Sequence, residues 1–172
     1  MNTREKNYNS SESFENKNIA YFEELIPPEH LKCLKPTNRY ITSFIKSKRI
    51  EIENILNGDD SRFLMIIGPC SIHNIEQAKE YAIRLKELSK KVNDKILIVM
   101  RVYFEKPRTT TGWKGLINDP DLNESFDVNK GLFQARKLLI HLANIGLPSG
   151  CEILDPITPQ YISDLISWGA IG

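Results

Sequence analysis

Four cations, Arg101, Lys106, Arg108 and Lys114, fall within residues 100–115, MRVYFEKPRTTTGWKG, against one carboxylate, Glu105. The whole chain carries a formal charge of only +1, so the cluster is a local concentration. Arginine grips phosphate or carboxylate through parallel N–H bonds, lysine acts as a point charge, and hydroxyls complete the shell. Pro107 stiffens the backbone between Lys106 and Arg108, and Thr109 and Thr110 follow at once. The plain alternative is a solvated surface loop. Because the segment leaves the apolar run Ile96, Leu97, Ile98 and Val99, the reading here is an anion site at the end of a buried strand. Nucleic acid is the competing anion, with Tyr103, Phe104 and Trp113 as stacking platforms. The rest of the chain has no basic stripe, which favours a small phosphorylated ligand and excludes nucleic acid.

Other residues that could do chemistry stand at the ends of neighbouring apolar runs. Cys70 precedes His73 by three positions. A thiolate and an imidazole suit a transition metal, of which one such pair is half a site, or they serve as nucleophile and base. They are equally a small hydrophobe at a strand end with a solvated neighbour. Glu152 lies between Cys151 and Ile153, where a carboxylate is costly unless paired with a cation such as Arg101 or placed in a polar site. Asp155 follows close behind. His30 and His141 fall on helical segments and read as surface residues.

These side chains need elements to position them. Residues 1–17 are polar and read as a disordered arm. Residues 18–60 form a helical extension, with a short helix opening at Pro28. A longer one is capped by Thr37, its inward residues Ile41, Phe44, Ile45, Ile52, Ile55 and Leu56, and Gly58 ends it. From residue 61 strands and helices alternate. Phe63–Ile67 is continuously apolar, as a parallel strand covered on both faces should be. Asn74 caps a helix with Ile75, Ala78, Ala82, Leu85, Leu88 and Val92 inward. Strand two runs from Ile96 to Val102. After the long polar loop comes a helix facing inward with Val128, Leu132, Ala135, Leu138, Leu139 and Leu142, stopped by Gly146. Strand three is Cys151 to Leu154. Thr158 caps a last helix holding Tyr161, Leu165, Ile166 and Trp168, and Ala170 begins a fourth strand.

Repeated βα units make either an open doubly wound sheet or a (β/α)8 barrel. The turn after strand one, GPCSIHN, lacks the glycine-rich dinucleotide fingerprint. A barrel takes roughly 250 residues, so residues 61–172 hold about three of its units and the start of strand four. In either array the strand C-terminal ends share one edge. That edge gathers Cys70, Arg101 to Thr111, Glu152 and Asp155.

Composition narrows the remaining classes. With 41% hydrophobic and 26% charged residues the chain is an ordinary globular one. It has no run of 18 apolar residues and no apolar leader, so the expectation is a cytoplasmic protein with no membrane contact. Three widely spaced cysteines argue against a disulfide framework.

The blocks IIGPCSIHN, MRVYFEKPRTTTGWKGLIND, EILDPITPQY and SWGAIG closely resemble the class I 3-deoxy-7-phosphoheptulonate (DAHP) synthases. The resemblance runs in order from about Leu25 to Gly172. A sibling enzyme making 3-deoxy-octulosonate 8-phosphate shares the chemistry, but the VYFEKPRTT loop is like that of DAHP synthase. The resemblance implies a (β/α)8 TIM barrel that condenses phosphoenolpyruvate with D-erythrose 4-phosphate to DAHP and phosphate. That reaction opens the shikimate route to aromatic amino acids.

It also implies roles. Cys70 matches a ligand of a divalent metal ion (Mn, Fe, Co or Zn), and His73 matches none. Arg101 and Lys106 match groups on phosphoenolpyruvate, the lysine also as a proton donor. Arg108 and Thr109 match groups on the phosphate of erythrose 4-phosphate. Glu152 matches a carboxylate beside the reacting enol. Pro159 and Gln160 fall where aromatic amino-acid inhibitors bind in relatives, with the N-terminal segment of a neighbouring subunit in a homo-oligomer. The family's other metal ligands, a histidine, a glutamate and an aspartate, belong to later strands. The expectation is therefore the N-terminal portion of such an enzyme, inactive as an isolated 172-residue chain. The alternative is a non-catalytic half-barrel that binds phosphate or an aromatic ligand, or that pairs with a complementing half.

Overall fold

The computed structural model describes residues 19, 22–108 and 111–172. The polar arm, 1–17, and the threonine pair Thr109 and Thr110 lie outside them. In chain order come α1 (Pro28–Leu34), α2 (Arg39–Asn57), β1 (Phe63–Ile67), α3 (Ile75–Val92), β2 (Ile96–Arg101), α4 (Val128–Asn144), β3 (Ser149–Ile153), α5 (Thr158–Ile162) and β4 (Trp168–Ile171). A 3-10 turn at Ser163–Leu165 joins the last two. All three strand pairs are parallel, in the order β1-β2-β3-β4. A doubly wound sheet needs a point where strand order reverses. This sheet has none, and it is part of a barrel wall.

The sheet's two faces hold different cores. Ile98, Met100 and Val102 join Ala78, Ala82 and Leu85 of α3 and Leu132, Leu138 and Leu142 of α4 in one large cluster. On the opposite face Leu97 and Val99 pack with Leu64, Ile66 and Trp168, and α2 covers them with Ile52 and Ile55. A Cβ placed on Gly150 would lie 3.4 Å from Val99 and 3.2 Å from Trp168, so Gly150 points to this second face. Because side chains alternate along a strand, Arg101 and Glu152 lie on it too, at the C-terminal ends.

Several element boundaries differ from the sequence reading. Asn38, not Thr37, caps α2, accepting the Ile41 N–H at 2.8 Å. Leu56 (60% exposed) and Leu88 (47% exposed) stand off the buried stripes, where no element packs over them. β1 is not covered on both faces: Leu64 and Ile66 pack on one, while Phe63 (65% exposed) and Ile67 on the other stay open. β2 ends at Arg101, although the Val102 N–H still pairs with Gly150 O at 2.8 Å. β3 starts two residues early, at Ser149. Thr158 is the first residue of α5 rather than its cap: Ile157 stands at the cap position without a side-chain bond, and the Asp155 carboxylate accepts from the N–H and hydroxyl of Thr158. Trp168 belongs to β4, since the helix gives way at Ser163 and Ile166 is extended. Arg49 of α2 donates to the Ser163 and Ile166 carbonyls there. His141 is half-buried rather than on the surface, its Nε2 without a partner.

Arg136 of α4 ties the helices together. Fully buried, it donates to Lys35 O beyond α1 (2.8 Å), to Tyr161 O of α5 (2.9 Å) and, with two nitrogens, to Asp164. Nothing in helical periodicity marks it, since an arginine on a buried stripe reads as an interruption. Replacing it (Arg136→Met) leaves two carbonyls and a carboxylate without their donors. A loss of about 2–4 kcal/mol is expected, read as a lower urea midpoint, with Arg136→Lys intermediate.

Candidate functional site

The turn after β1 is held at both ends. Gly68 lies so close to β2 that a Cβ there would meet Arg101 O at 2.5 Å. Ile72, buried, donates its N–H to Tyr103 O at 2.9 Å. Between these anchors Cys70 is left exposed. Two cations reach it. Arg101 Nη2 donates to Cys70 O at 3.2 Å, and Lys106 Nζ donates to the same oxygen at 2.8 Å and to Sγ at 3.2 Å. Lys106 beside the sulfur, with Arg101 adding to it, holds the Cys70 thiol below its ordinary range. Cys151 is the contrast: burial pushes its thiol up to about 12, which makes it inert.

Donors remain to spare. Arg101 Nε is buried and meets no acceptor. Its guanidinium lies 4.1 Å over the Tyr103 ring, which fixes its plane. A planar cation with unspent N–H groups beside an ammonium suits a ligand bearing both carboxylate and phosphate.

The loop beyond is more folded than its polarity suggests. Phe104, Leu116 and Ile117 are core residues. Lys106 N–H donates to Lys114 O (3.0 Å), and Trp113 Nε1 donates to Asp119 O (2.8 Å). Gly115 is required, because its φ is +108° and a Cβ would meet Phe104 O at 2.2 Å. Phe104 therefore offers no stacking surface, and Arg101 already covers Tyr103. Arg108 is exposed, and its carbonyl accepts from Lys114 Nζ at 3.4 Å.

The structure brings Cys70, Arg101 and Lys106 into contact and sets Glu152, half-buried, on the same face. An Arg101–Glu152 ion pair, one of the two ways named for holding that carboxylate, is not formed: among the described residues Glu152 has no salt-bridge partner, while Arg101 Nη2 donates to Cys70 O. His73 is exposed and joins nothing in the site. Pro159 and Gln160 lie in α5. Sequence reasoning missed the site's supports, Gly68, Ile72 and Asn118. Asn118 donates to Glu105 at 3.3 Å, and Glu105 and Asp155 line one cavity of about 180 Å³.

Known proteins resemble this chain in sequence and fold. The family model described as the DAHP synthetase I family matches residues 41–172. A phospho-2-dehydro-3-deoxyheptonate aldolase of Amycolatopsis methanolica is 51% identical over 162 residues, covering 94% of this chain and 80% of that one. The Trp-sensitive and Phe-sensitive enzymes of that name from Escherichia coli K12 are 52% and 53% identical, and this chain covers 44% of each. The solved structure of the aldolase from Francisella tularensis SCHU S4 superposes with a TM-score of 0.87 at 54% identity. It covers 90% of this chain, which spans 46% of it.

Thiol chemistry checks the geometry. Iodoacetamide at neutral pH is expected to label Cys70 and to spare buried Cys151 while the chain stays folded. A depressed thiol has more thiolate at pH 7, so Lys106→Met should slow Cys70 labelling, as followed by mass spectrometry.

Proposed function

The chain belongs to the DAHP synthetase I family, and we propose that it supplies the substrate-binding edge of a 3-deoxy-7-phosphoheptulonate synthase barrel. The reaction is condensation of phosphoenolpyruvate with D-erythrose 4-phosphate. The observation that carries this reading is the convergence of Arg101 and Lys106 on Cys70 O, with the Arg101 Nε still unpaired.

Each group has work that its chemistry suits. Arg101 and Lys106 take the carboxylate and phosphate of phosphoenolpyruvate, cancelling charges that would repel a second phosphate in one cavity. Arg108 and Thr109 take the phosphate of erythrose 4-phosphate. As the enol carbon forms its bond to the aldehyde carbon, Lys106 is placed to protonate the aldehyde oxygen. Glu152 steers water onto the carbon that then releases phosphate. Pro159 and Gln160 are the positions for an aromatic effector, a reading supported by relatives named Trp-sensitive and Phe-sensitive.

The family resemblance implies a divalent metal ion acting as a Lewis acid. Here the residues do not suffice. Cys70 is one ligand, its sulfur is turned to Lys106, and among the described residues no group of three His, Cys, Asp or Glu side chains is placed to hold an ion. That observation favours a second reading for the 172-residue chain taken alone: a non-catalytic half-barrel that binds phosphate, or one that pairs with a complementing half. No described helix is long and apolar enough to cross a membrane.

Calorimetry with phosphoenolpyruvate tests the binding reading directly. Heat saturating at millimolar ligand or below is expected, with Arg101→Ala weakening binding roughly thirtyfold, the value of one charge-assisted contact. No heat at millimolar ligand overturns it. Turnover by the chain alone, with both substrates and manganese, overturns the second reading. Activity recovered only on co-expression with a C-terminal half supports it.

A further inference from the structure

Glu105 sits between buried Phe104 and Lys106, yet its carboxyl turns away from the loop's cations. Among the described ion pairs none includes it. Oε1 accepts from Asn118 Nδ2 at 3.3 Å, while Oε2 is buried and has no donor. The carboxyl of Asp155 lines the same cavity and is its side-chain neighbour there.

Asp155 is already supplied. Its Oδ1 accepts from the N–H groups of Ile157 (2.6 Å) and Thr158 (2.8 Å), and Oδ2 from the Thr158 hydroxyl at 2.8 Å. Three donors stabilise its anion. Two neighbouring carboxylates repel unless one carries a proton, and Glu105, with the Asn118 amide and only a share of the Thr158 hydroxyl, has fewer donors than Asp155 to stay ionised.

We propose that Glu105 holds a proton and donates it to the Asp155 carboxylate, and that this shared proton latches the cationic loop to the turn that opens α5. The surroundings agree. Burial, then the charge of Asp155, pushes the Glu105 carboxyl up. Burial also raises Asp155, but the bonds from Thr158 and Ile157 outweigh it and hold that carboxyl down. The other titratable groups facing Glu105 are Cys151 of β3, a neutral thiol, and Tyr161 of α5, whose hydroxyl is given to Ile26 O. α4 contributes Val128 and Leu132, which carry no charge. Lys106 on its own loop points its ammonium at Cys70.

The latch reaches the anion site through backbone. A Cβ on Gly115 would meet the Glu105 Cα at 2.6 Å, and the next N–H, of Lys106, is bonded to Lys114 O. Moving Glu105 therefore moves both arms of the loop and the ammonium between them. Glu105 is a positioning residue. A carboxyl raised on folding favours the folded loop fully below its ordinary value of 4.5, and that contribution is lost as pH rises through the raised value.

The test uses the whole chain with no ligand, so its failure leaves the substrate reading standing. Carbon-13 NMR of the Glu105 carboxyl is expected to show titration above 4.5. Exchange protection of the Lys106 amide, corrected for intrinsic rates between about pH 5 and 9, should fall by about tenfold as the proton leaves. Glu105→Gln donates to Asp155 at every pH and should flatten that profile. Titration at or below the ordinary value overturns the latch, and so does a Glu105→Gln profile that matches the wild type.

Discussion

Two cations donate to one carbonyl oxygen, that of Cys70, and the rest of the molecule is arranged so that they can. Arginine and lysine repel when their side chains converge, so something must fix each of them. A strand end and a ring fix Arg101, whose backbone is pressed against Gly68 and whose guanidinium lies over Tyr103. A folded-back loop fixes Lys106, pinned by buried Phe104 on one side and by Lys114 O on the other. The parallel sheet sets both at one edge, and the β1 turn is spanned so that Cys70 stays outside the core.

The sheet's two faces divide the work. α3 and α4 bury one face and make the larger core, with Arg136 binding α4 to the α1 and α5 ends. α2 closes part of the other face, where Ile52 and Ile55 meet Leu97 and Val99. That leaves the C-terminal end of the same face open for Arg101 and Glu152. The two edge strands carry exposed apolar residues, Phe63 on β1 and Ile171 (93% exposed) on β4. The chain spans 46% of the solved Francisella aldolase that it matches.

Much of this was legible in the residues. Long periodic helices and the apolar strands declared themselves, as did Gly58 and Gly146 with their left-handed backbone, and the gathering of Cys70, Arg101 and Glu152 follows from parallel strands alone. What stayed hidden depends on tertiary contact. Thr37 and Asn38 are both good caps, and the approach of the chain into α2 chose the second. Thr158 looked like a cap because its hydroxyl suits that role, but the Asp155 carboxylate, three residues earlier, takes the hydroxyl and the N–H together. Leu88 fits the period of α3, and nothing packs over it. Glu105 read as a lone charge among cations, whereas burial and its neighbour turn it into half of a carboxyl pair.

The central claim is that the Arg101–Lys106 pair is a cradle for one doubly anionic substrate. A diffraction structure of the chain soaked with phosphoenolpyruvate tests it most directly. The account predicts the ligand's phosphate or carboxylate oxygens within about 3 Å of both Lys106 Nζ and the Arg101 guanidinium. A ligand seated elsewhere, with both cations still bonded to Cys70 O, would contradict it.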